Sequence, residues 1–294
     1  MVYLEYWFTW LLVWLLEHLP EKLAWPLARG AAGLLDLAIP RLRRIARRNL
    51  ELAQMPQPPG IPDAERLIDG IFRSIARLIL VFARFPRLNR TNISGWIRYE
   101  GREHFEEAKR RGRGVLFATA HLGNWELSAF AHGMLAEPMH VVVRPLDNAR
   151  IDRLVETRRR MSGNRLIEKK EAARMILRAL KENQAVGILV DQNTSLAEGT
   201  FVDFFGVPAC AGTAFVKLAA HSGATVIPGF ALWEESERRY VLRFYPPLEI
   251  TGDAAADTQR LHAQLESVIR QHPDQWLWIH RRWKTRPPGE PSLY

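Results

Sequence analysis

The chain has 294 residues, 47% of them hydrophobic, which is enough apolar material for one large α/β domain or two small ones. Lysine and arginine total 41 against 32 aspartate and glutamate, and the formal net charge of +9 indicates an anionic partner: nucleic acid, an acidic membrane or a phosphorylated lipid. The single cysteine, Cys210, excludes an intramolecular disulfide and a cysteine-based metal cluster.

The first apolar segment runs from Tyr6 to Leu16 between two acidic residues, Glu5 and Glu17. A spanning helix needs about 20 apolar residues. This shorter segment therefore predicts a membrane-embedded or half-inserted anchor helix with its tryptophan rings at the headgroup level. A tilted span over residues 2–19 and a buried core helix are the alternatives. Because the segment lacks a basic flank and a small-residue cleavage site, we do not expect a cleaved signal peptide.

A second apolar segment covers residues 23–39, and Pro40 predicts its end. Four residues within it predict interruptions: Pro26, Gly30, Gly33 and Asp36. A cluster of five arginines follows: Arg41, Arg43, Arg44, Arg47 and Arg48. Such a cluster attracts anionic headgroups by roughly 1 kcal/mol per charge, and the positive-inside tendency places it in the cytoplasm. A solvated helix face is the alternative.

The rest of the chain alternates strand and helix patterns. A proline-rich stretch at 55–60 separates a membrane-associated helical segment, 1–54, from an α/β domain, 55–294. Strand patterns are at 97–100, 114–120, 139–144, 185–190, 225–233 and 240–245; helical patterns are at 63–85, 102–111, 127–135, 172–181 (after the charged run 168–171), 213–222 and 253–272. Residues 199–212 are predicted as a loop with a strand-like centre. This alternation predicts a central, mostly parallel sheet flanked by helices.

The stretch His121–Leu127 (HLGNWEL) lies where a strand pattern turns into a helix, which is where α/β proteins hold functional groups. We expect His121 in the turn and Glu126 in the first helical turn, because a spacing of five within one helix would separate the side chains by roughly 140°. A carboxylate on one imidazole nitrogen leaves the other free as a general base. The prediction is a catalytic His121 oriented by Glu126. A turn cap and a helix-dipole carboxylate are the alternative.

No Gly-x-Ser-x-Gly elbow is present, and Cys210 lies far along the chain. A covalent acyl-enzyme therefore has no evident nucleophile, and direct transfer of an acyl group to a hydroxyl is the simpler prediction. One histidine and one glutamate do not make a zinc site, so we expect neither a metal nor a cofactor beyond an acyl thioester co-substrate.

The His-x4-Glu spacing in HLGNWE resembles the motif of glycerolipid acyltransferases, and this form resembles the lipid A lauroyl and myristoyl transferase family within the lysophospholipid acyltransferase-like superfamily. Further similar stretches are 43–50 (RRIARRNL), the strand before Asp191-Gln192, Phe204–Gly206 and 273–284. The resemblance implies a glycerolipid acyltransferase-like fold. It also implies a donor on acyl carrier protein, or acyl-CoA, and a lipid A precursor as acceptor. The location implied is the cytoplasmic face of the bacterial inner membrane.

Further candidate site residues follow two other strand patterns. Arg144 and Asp191 would lie beside His121 if the sheet is parallel. The arginine fork matches a phosphorylated sugar or a phosphopantetheine arm, and Asp191 would position arginines or hold the acceptor sugar. The resemblance implies a functional arginine on the helix after 139–144, for which Arg158 fits best by spacing and Arg159 is the rival. Solvated helix faces and a plain turn are the alternatives.

Two substrate-binding candidates come from the motifs themselves, Asn124 in HLGNWE and Gly206 after Phe204 and Phe205. Glycine turns and helix N-termini present N–H groups to phosphate or to an oxyanion. The two phenylalanines are more typical of core than of acyl contacts, and His280 more typical of a core or capping residue.

Other functions use part of the same features. A lysophospholipid or glycolipid acyltransferase, or a thioester hydrolase, would use the same His–Glu pair. A membrane-tethered nucleic-acid-binding protein would explain the charge and the aromatic, basic segment 276–284. No DNA- or RNA-binding motif accompanies that segment, so we expect an anionic membrane surface and no nucleic acid as partner.

Overall fold

The computed structural model describes residues 2–54, 64–168 and 172–294. The proline-rich stretch 55–60, the expected helix start at Asp63 and most of the charged run 168–171 lie outside the described residues. The helices are α1 (Val2–His18), α2 (Glu21–Ala38), α3 (Pro40–Leu52), α4 (Ala64–Ala83), α5 (Arg102–Arg111), α6 (Trp125–Leu135), α7 (Ala149–Arg160), α8 (Ala172–Lys181), α9 (Ala214–Ser222) and α10 (Ala254–Gln271). The strands are β1 (Ile97–Glu100), β2 (Val115–Thr119), β3 (His140–Val143), β4 (Arg165–Glu168), β5 (Ala185–Leu189), β6 (Gly199–Phe204), β7 (Val207–Gly212), β8 (Thr225–Glu234) and β9 (Arg239–Phe244).

Seven strands form one sheet in the order β1-β9-β8-β2-β5-β3-β4. Each pair is parallel except β8 with β9. Helices cover the sheet, so the predicted mostly parallel α/β fold is confirmed. Strand β2 lies between β5 and β8, with Val115 opposite both Ala185 and Thr225. The carboxyl ends of β2 and β5 therefore meet at one edge of the sheet.

Two strand assignments differ from the sequence prediction. Strand β4 had no sequence signal, because only Ile167 of its four residues is buried. Residues 199–212 form a complete antiparallel hairpin, β6–β7, rather than a loop with a strand-like centre. Its Phe204 and Phe205 are buried against Trp276 and Trp283, which confirms them as core residues.

The first two helices pack on α4 through small side chains. Ala24, Ala28 and Ala32 of α2 are buried in one cluster with Ala76 and Leu80 of α4. Helix α2 runs unbroken through Pro26, so the predicted interruptions of this segment were wrong. Burial of its alanine face outweighs the cost of a proline within a helix, about 3 kcal/mol, and the smaller cost of the two glycines.

Helix α1 leaves most of its apolar side chains exposed. Val13 and Leu16 are buried, whereas the side chains of Tyr3, Trp7 and Phe8 are 62%, 57% and 60% exposed. Across the described ranges, no helix combines the length and apolar character required to cross a bilayer. The membrane-anchoring helix and the boundary between 1–54 and 55–294 stay predictions.

Part of the arginine cluster on α3 is neutralised within the protein. Arg43 contacts three carboxylates, those of Asp36, Glu65 and Asp69, at 2.5–2.7 Å. Arg47 also pairs with Glu65. The charges of Arg43 and Arg47 are therefore less available to lipid headgroups than those of solvated arginines would be.

Candidate active site

The turn between β2 and α6 carries His121. Gly123 has a φ of +64°, and a Cβ there would lie 2.0 Å from the backbone oxygen of Ala231, so glycine is required. The Gly123 N–H donates to Gln275 O (2.9 Å), and the Leu277 N–H donates to His121 O (2.9 Å). The predicted strand–turn–helix arrangement is confirmed, and the turn is fixed against both β8 and the C-terminal segment 275–285.

The imidazole of His121 is held by Asp191, which follows β5. Nδ1 of His121 lies 2.9 Å from Oδ1 of Asp191, and the His121 backbone N–H donates to Oδ2 at 3.0 Å. The indole N–H of Trp276 donates to the same Oδ2 at 2.9 Å. The Asp191 side chain is 3% exposed and that of His121 is 17% exposed. The fold therefore presents a carboxylate–imidazole pair at the edge of the sheet.

Opposing effects set the two pKa values. Burial lowers the pKa of His121, but the charge and hydrogen bond of Asp191 outweigh it, and the pKa is raised above 6.5. Burial raises the pKa of Asp191, but the charge of His121 and the hydrogen bonds from His121 and Trp276 bring it down to about 2. Asp191 is therefore ionised at neutral pH and increases the basicity of the ring.

Glu126 contacts an arginine rather than the ring. Its two oxygens accept from Nε (2.9 Å) and Nη2 (2.5 Å) of Arg159 on α7, in the bidentate geometry that arginine favours. The expected contact of the Glu126 carboxylate with the ring is thus replaced by that of Asp191, which follows the neighbouring strand β5. Glu126 still acts on the ring through space, because its charge helps to raise the pKa of His121.

Arg158, the preferred candidate on this helix, faces away from Glu126. Its Nη2 donates to Glu17 of α1 at 2.8 Å. Consecutive residues on a helix are separated by about 100°, so only one of the two arginines can face Glu126. The structure assigns that contact to the rival, Arg159.

A narrow groove lies beside His121, with a cavity volume of about 10 Å³, which is space for about one water molecule. Most of its lining is apolar, from one face of α4, the start of α6 and the C-terminal segment: Ile71, Ser74, Ile75, Leu78, Gly123, Trp125, Gln275, Trp276 and Leu277. The ring of His121 therefore borders apolar side chains, of the kind that contact a fatty acyl group.

Comparison with known proteins shows the family of the chain. A family model described as "Bacterial lipid A biosynthesis acyltransferase" matches residues 1–285. The chain belongs to this family.

A lipid A biosynthesis lauroyltransferase of Escherichia coli (strain K12) is 31% identical over 298 residues, covering 99% of this chain and 95% of that protein. The palmitoleoyltransferase of the same organism is 31% identical over 295 residues, with the same two coverages. Its lipid A biosynthesis myristoyltransferase is 24% identical over 240 residues, covering 80% and 74%. The protein is an acyltransferase, and the resemblance stated from the motifs is confirmed.

Three of the other candidates in this acyltransferase have contacts away from the imidazole. Asn124 is fully buried, and its Oδ1 caps α6 by accepting from the Leu127 N–H at 2.9 Å, so the structure assigns it a capping position. Arg144 is exposed after β3, a strand separated from β2 by β5. Gly206 lies at the exposed turn of the β6–β7 hairpin, and its N–H donates to Asp203. The structure does not bring these three residues to His121.

The C-terminal segment supplies contacts that sequence reasoning missed. Trp276 reaches Asp191, and Nε2 of His280 accepts from the Asn193 N–H at 3.1 Å, which fixes the loop after β5. Burial lowers the pKa of His280 to about 4, so the ring stays neutral and able to accept. His280 therefore has the capping role expected of it. The available signal was the run of tryptophans in 276–283.

The same segment argues against the nucleic-acid alternative. Trp276, Trp278 and Trp283 are 2%, 0% and 0% exposed, so these rings offer no surface on which bases could stack. Among the described residues, no group of three His, Cys, Asp or Glu side chains is placed to hold a metal ion. The expectations that no metal and no cofactor are needed stay predictions.

Proposed function

We propose that this acyltransferase moves a fatty acyl chain from an acyl thioester to a hydroxyl of a lipid A precursor, with His121 as the general base. The observation that carries the proposal is the imidazole fixed through Nδ1 by Asp191 beside an apolar groove. With Nδ1 protonated and donating to Asp191, Nε2 holds the lone pair. The relatives named for lauroyl, palmitoleoyl and myristoyl transfer to lipid A support this substrate class.

The reaction then needs one proton transfer in each direction. Nε2 of His121 takes the hydroxyl proton as the acceptor oxygen attacks the thioester carbon. The C–O bond forms, the C–S bond breaks, and the departing thiolate receives the proton from the imidazolium. Asp191 stabilises the imidazolium between these steps. Cys210 is fully buried in β7, which argues against a cysteine nucleophile. This burial favours transfer without a covalent acyl-enzyme.

The Glu126–Arg159 pair has a separate role in this proposal. Arg159 is held by two hydrogen bonds, and its side chain is 22% exposed. A pre-oriented arginine fork suits a phosphate on the acceptor sugar or on the arm of the donor. Glu126 orients that fork and adds negative charge near the imidazolium.

In this proposal the apolar side chains around the groove contact the reacting end of the acyl chain. Ile71, Ile75 and Leu78 form one wall on α4, and Trp125 and Leu277 close the others. Burial of methylene groups there contributes binding energy of about 0.8 kcal/mol each. This wall also places α4, on which α1 and α2 pack, next to the lipid substrate.

The donor and the location proposed here rest on the net charge of the protein and on the exposed rings of α1. The net charge of +9 suits an acidic carrier protein or the phosphates of CoA as donor, and an anionic membrane as the surface. The exposed rings of α1 are placed at the membrane–water interface on the cytoplasmic face of the inner membrane, where aromatic side chains are favoured.

Lipid mass spectrometry tests the function. A strain lacking the protein is complemented with the wild type, His121→Ala or the exposed-residue control His221→Ala. Wild type and control should restore an acyl group of defined mass, and His121→Ala should not, with transfer in vitro reduced on the order of 10⁴-fold. Fatty acid release that is unaffected by the acceptor would instead indicate a thioester hydrolase, and full activity of His121→Ala would exclude the proposed base.

A further inference from the structure

Helix α7 is positioned by a half-buried apolar stripe, formed by Ile151, Leu154 and Val155, and by charged contacts. Across its twelve residues, Ala149–Arg160, the residue buried in the protein is Arg158. A surface helix is normally positioned by an apolar stripe facing the core. Because the buried residue that follows this stripe is an arginine, the placement of α7 also depends on the partner of that charged side chain.

Two consecutive arginines of α7 join it to two different elements. Arg159 holds Glu126 at the start of α6, and Arg158 holds Glu17 near the end of α1. The Arg158–Glu17 pair is at 2.8 Å, with side chains 10% and 16% exposed. Burial lowers the pKa of Arg158, and the charge and hydrogen bond of Glu17 counter this effect. Removal of one partner would leave a charge poorly solvated, which is strongly unfavourable.

We propose that Glu17 and Arg158 are positioning residues that couple the N-terminal helix to the active site. The contact of α1 with α7 through Glu17 and Arg158 fixes the rotation of α7. That rotation keeps Arg159 in contact with Glu126. Helix α1 is then a component of the catalytic apparatus and not only an attachment to the membrane. This inference rests on the proposed function, in which the Glu126–Arg159 pair serves acyl transfer.

Contacts at the other end of α1 provide a matched control. Arg150 of α7 donates to the hydroxyl of Tyr3 at 3.3 Å, and its guanidinium lies 4.6 Å from the ring centre. This contact joins the same two helices, but its groups are exposed. It should therefore contribute little to the rotation of α7.

The test is a double-mutant cycle with purified protein, an acyl thioester and a lipid A precursor. We expect Glu17→Gln to lower kcat/KM about tenfold, because small displacements of a positioning group are costly. Arg150→Gln should change it less than twofold. In an Arg159→Gln background, Glu17→Gln should cause no further loss, since the group through which it acts is gone. Equal losses in both backgrounds, or no loss in either, would overturn the proposal.

Charge reversal gives a second, independent measurement. Glu17→Arg and Arg158→Glu should each lower activity, and the two together should restore at least part of it. Thermal unfolding is recorded for every variant, because simple destabilisation lowers Tm and acts equally with and without Arg159. His121→Ala separates the two proposals: if it is inactive while Glu17→Gln is normal, only the coupling fails, and if it is active, the proposed function fails.

Discussion

The edge of the sheet around His121 and the N-terminal helices are built on different principles. At the edge, Asp191 is 3% exposed and accepts three hydrogen bonds, two of them from His121 and one from Trp276. Helices α1 and α2 attach through the buried alanines of α2 and through polar contacts that include the Glu17–Arg158 pair, and they leave rings such as Trp7 more than half exposed. The edge is built from contacts within the protein, whereas the exposed rings of α1 predict an apolar environment that covers them. Chemistry should therefore depend on the first region and membrane contact on the second.

Loss of the Asp191 charge should affect the first region most. Asp191→Asn is expected to lower kcat by roughly 10²–10⁴-fold, because the ring loses its tautomer and its stabilising charge. The control is Asp147→Asn, an exposed residue in the turn after β3, which should retain activity. A decrease smaller than about threefold would show that the carboxylate is only structural.

The pH profile sharpens the same experiment. The general base must be neutral, so activity should rise with pH through the pKa of His121, which Asp191 raises above 6.5. In residual Asp191→Asn activity this acidic limb should move to lower pH. Stability gives a second sign: the pKa of Asp191 is about 2 when folded and 3.8 normally, so its contribution is present above pH 3.8 and is lost as the pH falls through 2.

Glu126→Gln should have the next largest effect. The amide keeps the shape but not the charge, so Arg159 loses its ionic partner and the imidazolium loses a nearby anion. We expect kcat/KM to fall roughly 10–100-fold, with a smaller acidic-limb shift than in Asp191→Asn. Glu106→Gln, in an exposed pair on α5, is the control. A shift as large as that of Asp191→Asn would mean that Glu126 contacts the ring during catalysis.

Trp276→Phe tests the hydrogen bond that the indole N–H of Trp276 donates to Asp191. The ring remains but the hydrogen bond to Asp191 is lost, so the carboxylate becomes more basic and the pKa of His121 should rise further. A three- to tenfold decrease in kcat at pH 7 is expected. Trp278→Phe is closely matched, because its indole N–H donates to Pro273 O instead. Equal pH profiles for the two variants would show that Trp276 acts only by packing.

The sequence predicted the sheet edge better than its pairings. Apolar runs identify β2 and β5, and therefore the positions of His121 and Asp191 at strand ends, but not that these residues meet across 70 positions. The choice between Arg158 and Arg159 depends on the rotation of α7. The apolar stripe of α7, formed by Ile151, Leu154 and Val155, is only half-buried, and it does not show which partner either arginine meets. Its rotation depends on Glu17, far away in sequence.

The smallest catalytic effect should come from the exposed face of α1. A variant with Trp7→Ser and Phe8→Ser removes two rings that are 57% and 60% exposed, but leaves Glu17 and its pair with Arg158 intact. Co-sedimentation with vesicles containing anionic lipid should fall about tenfold, because each ring contributes apolar area to the bilayer interface. In detergent, kcat with the same thioester should change less than threefold. Leu196→Ser, also exposed but on the loop after β5, controls for surface change.

If Trp7→Ser with Phe8→Ser kept full vesicle binding, α1 would have to meet a different apolar partner. If kcat in detergent instead fell as in Glu17→Gln, the outer face of α1 would also influence the position of α7.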